Sequence, residues 1–109
     1  MNTVQLLGRL TADPELKQPG GKPLCEMRFA IPRRDRDATP VYIDVVAFAG
    51  LAEVCANHLG KGRQVAVSGR LDHSQWKAED GTSRSRHKVI ANEIDFVGPK
   101  PDSDPESDA

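Results

Sequence analysis

The order strand, short helix, strand between residues 41 and 71 constrains the fold of this chain more than any other feature. VYIDVVAF opens the segment with apolar residues of both parities, so neither face of this strand is wholly exposed to water. LAEVCANHL follows with the apolar spacing of a helix, carried by Leu51, Val54, Cys55 and Leu59. Gly60-Lys61-Gly62 predicts the end of that helix, because glycine commonly follows a helix C-terminus.

Further strands are predicted on both sides of this unit. RQVAVSGRL alternates apolar and polar residues directly after the helix, and NTVQLLGRL and LCEMRFAI alternate in the same way earlier in the chain. Gly8, inside the first strand, predicts a bulge or a sharp coil of the sheet. Asp80-Gly81 predicts a hairpin turn, and residues 15–17 indicate a short extended piece.

These elements predict an all-β fold. Antiparallel strands of about 8–10 residues, too few for a two-sheet sandwich, are typical of a small closed barrel. The specific prediction is a five-stranded antiparallel OB-fold barrel with one short helix between strands 3 and 4. Residues 1–98 are predicted to form this domain. Residues 99–109, PKPDSDPESDA, are predicted to be a disordered acidic tail.

Charge is unevenly divided between these two parts. Residues 1–98 carry 14 Lys and Arg against 12 Asp and Glu, whereas residues 99–109 carry one Lys against four acidic residues. The small positive net charge of residues 1–98 is weak support for a polyanionic partner. The hypothesis of such a partner therefore depends on where the charges are placed. No apolar run has the length of a membrane span and MNTVQLLGRL lacks the pattern of a secretory leader. We therefore expect a cytoplasmic protein that does not contact a membrane.

No group of residues has the spacing that catalysis or metal binding requires. His58, His73 and His87 are widely separated, and no serine has a nucleophile-elbow context. Cys25 and Cys55 have no CxxC spacing, and we expect both to be buried apolar residues, with a disulfide or metal role as the alternative. The chain is predicted not to be an enzyme and to use no cofactor or metal.

The few aromatic residues are more informative. Phe29 has the inward parity of its strand and is predicted to lie in the core. Tyr42 and Phe48 share one face of a strand with Asp44, and Trp76 stands in a polar hairpin arm. Core packing is one explanation for these three residues. The other is that they offer flat faces to unpaired bases, because base–aromatic stacking tolerates any sequence.

Cationic side chains are placed where they could neutralise phosphates beside those aromatics. An arginine-rich loop, RRDRD, follows LCEMRFAIP. An ordinary solvated loop is one interpretation, but the preference for Arg over Lys favours contact with phosphates or bases. The candidate cations of this loop and of the hairpin arm are Arg33, Arg34, Arg36, Lys77, Arg84, Arg86 and Lys88.

Several separated motifs resemble bacterial single-stranded DNA-binding proteins. They are NTVQLLGRLTADPELK, VVAFAGLAEVCANHLGKGRQVAVSGRL and QWKAEDG with residues 84–90, and they cover about residues 2–98. The resemblance implies an OB-fold that binds single-stranded DNA without sequence preference and protects it during replication, recombination and repair. It implies base stacking by Tyr42, Phe48 and Trp76, and it matches Lys61 to a lysine that follows the family's helix. It also implies a homo-oligomer, usually a homotetramer with a dimer as the alternative, associated with the nucleoid.

Some positions depart from the family pattern. RRDRD, near Asp35, stands where a fourth stacking aromatic is expected, Gly50 replaces a usual lysine, and Gln75 replaces a usual basic residue. The acidic tail has no terminal phenylalanine, so a solubilising role is expected rather than recruitment of replication and repair proteins. The alternative hypothesis is an OB-fold protein–protein adaptor, such as a replication-restart accessory subunit, with weak affinity for DNA.

Overall fold

A computed structural model of the chain describes residues 1–35 and 39–97. The strands are β1 (Val4–Leu10), β2 (Glu15–Lys17), β3 (Leu24–Ile31), β4 (Val41–Phe48), β5 (Gln64–Lys77) and β6 (Ser83–Phe96), and the helix α1 is Ala49–His58. A single 3-10 turn, Pro19–Gly21, precedes β3. The predicted boundary at residue 98 and the predicted tail, 99–109, lie outside the described residues.

The sheet closes on itself. Its order is β1-β5-β6-β4-β3-β2, and an additional pairing of β1 with β3 completes the ring. Closure follows from the length of β1, which pairs with β5 along residues 4–9 and with β3 at Arg9 and Leu10. The fold is therefore the predicted all-β barrel of OB type, with one short helix packed between two of its strands.

The ring consists of the predicted five strands, β1, β3, β4, β5 and β6, and α1 lies between the third and the fourth of them. The short extended piece at residues 15–17 is an additional strand, which pairs with β3 outside the ring. One detail differs from the expected antiparallel arrangement. The pairing of β4 with β6 is parallel, in the register Asp44 to Lys88. Local alternation cannot reveal this pairing, because it depends on how a distant strand closes the ring.

Inward-facing residues of every long strand form one core. Phe29 and Val65 are fully buried, as the alternation of their strands predicts, and Val45 and Val89 are fully buried with them. Cys25 and Cys55 are buried as well, and neither forms a disulfide. Burial raises the pKa of both thiols, that of Cys55 to about 12 with a smaller contribution from Cys25. Within the described residues no cluster of three or more potential ligands could hold a metal ion.

The apolar spacing of α1 does not by itself define its buried face. Cys55 and Leu59 are buried and Leu51 packs against the core, whereas Val54 is 42% exposed and Ala52 is fully buried. Within the described residues no helix combines the length and the apolar character needed to cross a membrane.

Two glycines occupy places where strands cross closely. A Cβ on Gly8 would lie 2.6 Å from the carbonyl oxygen of Ala30, at the point where β1 turns from β5 toward β3. The β1–β5 register has no bulge at Gly8. The bulge lies instead between Ser68 and Gly69, where the β5–β6 register shifts.

Beyond this bulge β5 and β6 continue as an antiparallel arm that extends from the barrel. Paired residues run from Leu71 and Val89 to Lys77 and Ser83. Leu71 is 43% exposed at the base of the arm, although Val89, its register partner, is buried in the core. The predicted turn at Asp80-Gly81 is present, and its Asp80 carboxylate accepts hydrogen bonds from the Thr82 amide and hydroxyl.

Among the described residues, Arg63 is a charged residue that is buried. It is 7% exposed, and its Nε and Nη1 have no hydrogen-bond partner among the described residues. Its guanidinium lies 5.5 Å from the ring centroid of Phe96, whose π face compensates part of the buried charge.

Candidate nucleic-acid interface

A cleft of about 340 Å³ lies between the arm and the outer surface of the barrel. The arm contributes Trp76, Arg86 and Lys88, and the barrel contributes Arg28 from β3 and Asp44 from β4. Further lining comes from Ala12, Asp13, Glu15, Glu26, Met27, Val45, Val46 and Ser74. The cleft is open and mixed in polarity, which suits an extended, charged ligand better than a small apolar one.

Strand alternation explains which side chains reach the cleft. On β4, Asp44 and Val46 have the parity opposite to the buried Val45 and Ala47. On the arm, residues of the parity of Ser74 and Trp76 line the cleft, whereas those of the parity of His73 do not. The cleft is therefore built on the outer face of the sheet, on strands whose inner faces are fixed by the core.

The three aromatic candidates are surface residues and not core residues. Tyr42 and Phe48 are each 46% exposed and Trp76 is 48% exposed. Trp76 lines the cleft itself. Tyr42 adjoins it through Arg28, whose guanidinium carbon lies 5.4 Å from the tyrosine ring centroid. Phe48 stands at the other end of β4, roughly 20 Å from Tyr42 at the usual strand rise.

Trp76 also lines a second cleft, of about 370 Å³, near the tip of the arm. The residues around it are Gln75, Trp76, Lys77, Ser83, Arg84 and Ser85. Two of the predicted cations, Lys77 and Arg84, are thus brought together with the tryptophan. Because Trp76 borders both clefts, a strand passing from one to the other would run along its ring.

A network of charged groups crosses the floor of the main cleft. Arg28 Nη1 donates a hydrogen bond of 3.1 Å to Asp44 Oδ1, and Arg86 Nε lies 3.4 Å from Asp44 Oδ2. Lys88 is the register partner of Asp44 across the parallel pairing. One carboxylate on β4 therefore bridges an arginine of the barrel and an arginine of the arm.

Acidic residues at the edge of the cleft have cationic partners of their own. Lys17 Nζ lies 3.3 Å from Glu26 Oε2 and 4.0 Å from Glu15 Oε1. These side chains are about half exposed or more, so their mutual attraction is weak and screened by salt.

The remaining predicted cations fall in three groups. Arg33 and Arg34 are exposed in the segment that follows β3, outside both clefts. Arg36 lies outside the described residues. Lys61 is exposed on the turn after α1, and its amide donates a 2.9 Å hydrogen bond to Asp13, which lines the main cleft.

Arg28 is the cleft residue that the sequence reasoning missed. Its outward parity on β3 was visible, but an arginine among alternating residues looks like any solvated position. The signal that could have found it is the pairing of β3 with β4, which sets Arg28 opposite Asp44. Knowledge of this pairing would have predicted an ion pair between Arg28 and Asp44 on the outer face of the sheet, beside Tyr42.

The chain is similar to known single-stranded DNA-binding proteins. Residues 1–97 match the model of the single-strand binding protein family. The chain is 38% identical over 99 residues to the "Single-stranded DNA-binding protein" of Clostridium perfringens, covering 89% of this chain and 66% of that one. It is 39% identical over 105 residues to "Single-stranded DNA-binding protein 2" of Chlorobaculum tepidum, covering 89% and 71%. It is 40% identical over 102 residues to the "Single-stranded DNA-binding protein" of Clostridium tetani, covering 89% and 70%.

Proposed function

The chain belongs to the single-strand binding protein family, and we propose that it binds single-stranded DNA without sequence preference by stacking bases on aromatic side chains and neutralising phosphates. The observation that carries this mechanism is the position of Trp76, half exposed between two clefts that both contain cationic residues. The chain spans 66–71% of the length of these three relatives.

Stacking supplies affinity that does not depend on sequence. Tyr42, Phe48 and Trp76 each leave nearly half of their surface to solvent, and this exposed part gains no burial energy from the fold. A base that covers such a ring recovers the hydrophobic and dispersion energy, and every base has a π face. The distance between Tyr42 and Phe48 along β4 suits stacking of bases that are several nucleotides apart, with the strand running across the sheet.

Phosphate contacts supply the salt-dependent part of the affinity. Arg28, Arg86 and Lys88 belong to the main cleft, and Lys77 and Arg84 belong to the cleft at the arm tip. These cations flank Trp76 on two sides, as needed when the backbone follows a stacked base. Arg33, Arg34 and Lys61 are proposed as peripheral contacts, and Arg36 is proposed on sequence grounds alone.

The adaptor hypothesis is not favoured, because the matched relatives carry names that refer to single-stranded DNA. The single-strand binding protein family is a DNA-binding, non-catalytic family, and we propose that this chain likewise has no enzymatic activity. Protection of single strands during replication, recombination and repair, in the cytoplasm at the nucleoid, is the biological setting that we propose.

We also propose that the protein works as a homo-oligomer, most simply the homotetramer that the family resemblance implies. The inner residues Val45 and Ala47 are fully buried in the core, so they are not interface residues. Leu7, on the outer face of β1, is 47% exposed and is a better candidate for such a contact. Light scattering across a concentration series distinguishes a monomer, a dimer and a tetramer.

Titration of the protein with a poly-dT oligomer tests the proposed function. Trp76 is the only tryptophan, so its fluorescence should be quenched when a base stacks on the ring. The affinity should fall as salt rises, because bound phosphates release counterions. A duplex of the same length serves as the control and should bind more weakly. Unchanged fluorescence and mobility at low salt would contradict the proposal.

A further inference from the structure

We infer that Asp44 is an internal competitor for DNA phosphate, which holds Arg28 and Arg86 in the DNA-free protein and lowers the affinity of the main cleft. The inference rests on the proposed function, since it assigns a role to a residue within the same site. It differs from that proposal in naming a carboxylate, not a cation or an aromatic, as the group that sets the strength of binding.

The first argument is the placement of the carboxylate. Asp44 has its two oxygens directed at two different arginines, Oδ1 at Arg28 and Oδ2 at Arg86. A phosphodiester offers two non-bridging oxygens, and the guanidinium group binds carboxylate and phosphate with the same kind of charge-assisted hydrogen bond. Asp44 therefore occupies, within the protein itself, a position equivalent to that of a bound phosphate.

The second argument is the difference in exposure between the carboxylate and its partners. The Asp44 side chain is 23% exposed, whereas those of Arg28 and Arg86 are 52% and 64% exposed. The carboxylate thus lies at the floor of the cleft and the two guanidinium groups lie nearer to solvent. An incoming phosphate meets the arginines first, and it must draw them from Asp44 while bearing the same charge as that residue.

The third argument is the position of the network in the fold. Arg28 stands beside the ring of Tyr42, and Arg86 belongs to the arm that carries Trp76. The bridge through Asp44 therefore links both proposed stacking residues to one carboxylate on β4. When phosphate replaces Asp44 as the partner of these arginines, the arm is no longer tied to the barrel by this ion pair and can adjust to the strand.

The test is the variant Asp44→Asn, which keeps the size of the side chain and removes its charge. We expect its dissociation constant for poly-dT at low salt to be roughly 5- to 10-fold lower than that of the wild-type protein, because two charged hydrogen-bonding groups become available to phosphate. The plot of log affinity against log salt should steepen by about 0.7 to 1.4, the slope expected for one or two additional phosphate contacts with a single strand.

A matched control separates competition from a general gain in positive charge. Glu53→Gln removes an exposed carboxylate of α1 that lines neither cleft. We expect this variant to change the affinity less than twofold and to leave the salt slope unchanged. An equal gain for Glu53→Gln and Asp44→Asn would overturn the inference.

A second variant keeps the inference testable if Asp44→Asn alters the arm. In the background of Arg86→Gln, Asp44→Asn should raise the affinity less than it does in the wild-type background, because only Arg28 remains to be released. The inference fails if wild-type protein binds poly-dT and Asp44→Asn binds no more tightly while keeping the circular dichroism spectrum of the wild type. The proposed function fails instead if the wild-type protein itself neither binds poly-dT nor shows quenching of Trp76.

Discussion

Gly69 lies directly against the backbone carbonyl of Ile90, at the bulge where β5 leaves the barrel and enters the arm. A Cβ at this position would overlap the carbonyl oxygen, and the neighbouring Cα of Ala91 would be 3.0 Å away. Both obstacles are backbone atoms, which cannot rotate aside. The close approach of these two strands therefore sets the direction in which the arm, and with it Trp76, projects.

Gly69→Ala should destabilise the fold and weaken DNA binding together. We expect the free energy of unfolding to fall by about 1–3 kcal/mol, the usual cost of overpacking a site that is already full. Urea denaturation measures the first effect and poly-dT titration the second. Gly50→Ala is the control, because a Cβ at Gly50 meets no atom within 4 Å and the residue lies in a helix. That variant should be as stable as the wild type or more stable. Equal stability of the two variants would contradict this account of Gly69.

Trp76→Ala should weaken single-stranded DNA binding without unfolding the protein. Base stacking on aromatic residues in proteins of this kind is worth roughly 1–3 kcal/mol per base, which corresponds to a 5- to 150-fold loss of affinity. Electrophoretic mobility shift or anisotropy measures the loss, since the fluorescent residue is absent. His73→Ala, on the opposite face of the same strand, should bind as the wild type does. If Trp76→Ala instead failed to fold, the residue would have a packing role that its exposure does not indicate.

Ala49→Gly should stabilise the protein. Ala49 begins α1 with a φ of 56°, in the left-handed region that L-residues avoid, while its amide bonds to the carbonyl of Pro23. Removing the Cβ relieves this strain, and part of the gain is offset by the greater freedom of glycine in the unfolded chain. A net gain of roughly 0.5–1 kcal/mol is expected from thermal or urea unfolding. Ala49→Val should be destabilising, since β-branched residues tolerate this region least.

Alkaline pH should destabilise the protein through its buried thiols. Burial raises the pKa of Cys55 from 9.0 to about 12, so the unfolded chain loses this proton at a lower pH than the folded one. The stability that the thiol contributes is fully present below pH 9 and decreases between pH 9 and 12. The loss is about 1.4 kcal/mol per pH unit for one thiol.

Urea denaturation at several alkaline pH values, compared between the wild type and Cys55→Ala, isolates this contribution. The variant is less stable near neutral pH because of the lost packing, but the difference in stability should shrink as the pH rises above 9. A difference that stays constant from pH 8 to 11 would show that Cys55 does not titrate in the expected way. Cys25, whose pKa is also raised by burial, contributes in the same direction to both proteins.

Much of the barrel could be predicted from alternation alone. The burial of Phe29, Val65 and Val67 follows from which parity of a strand is apolar. Parity left the exposure of Tyr42 and Phe48 open, because their strand is apolar on both faces. Val54 and Leu71 continue the apolar spacing of their elements, yet they are 42% and 43% exposed. A local pattern does not contain the position where a helix or strand stops facing the core.

The sequence by itself determined the strands, the helix, the inner and outer faces and the residue types available on each face. The period of side-chain alternation and the shape of glycine are local properties, and they need no knowledge of partners. Only the tertiary structure decided that Arg28, Asp44 and Arg86 meet. They come from three strands, and the parallel pairing of β4 with β6 that unites them exists only once the ring has closed. Closure of the ring depends on packing throughout the barrel. The contacts on its outer face can therefore be identified only when the order of the strands is known.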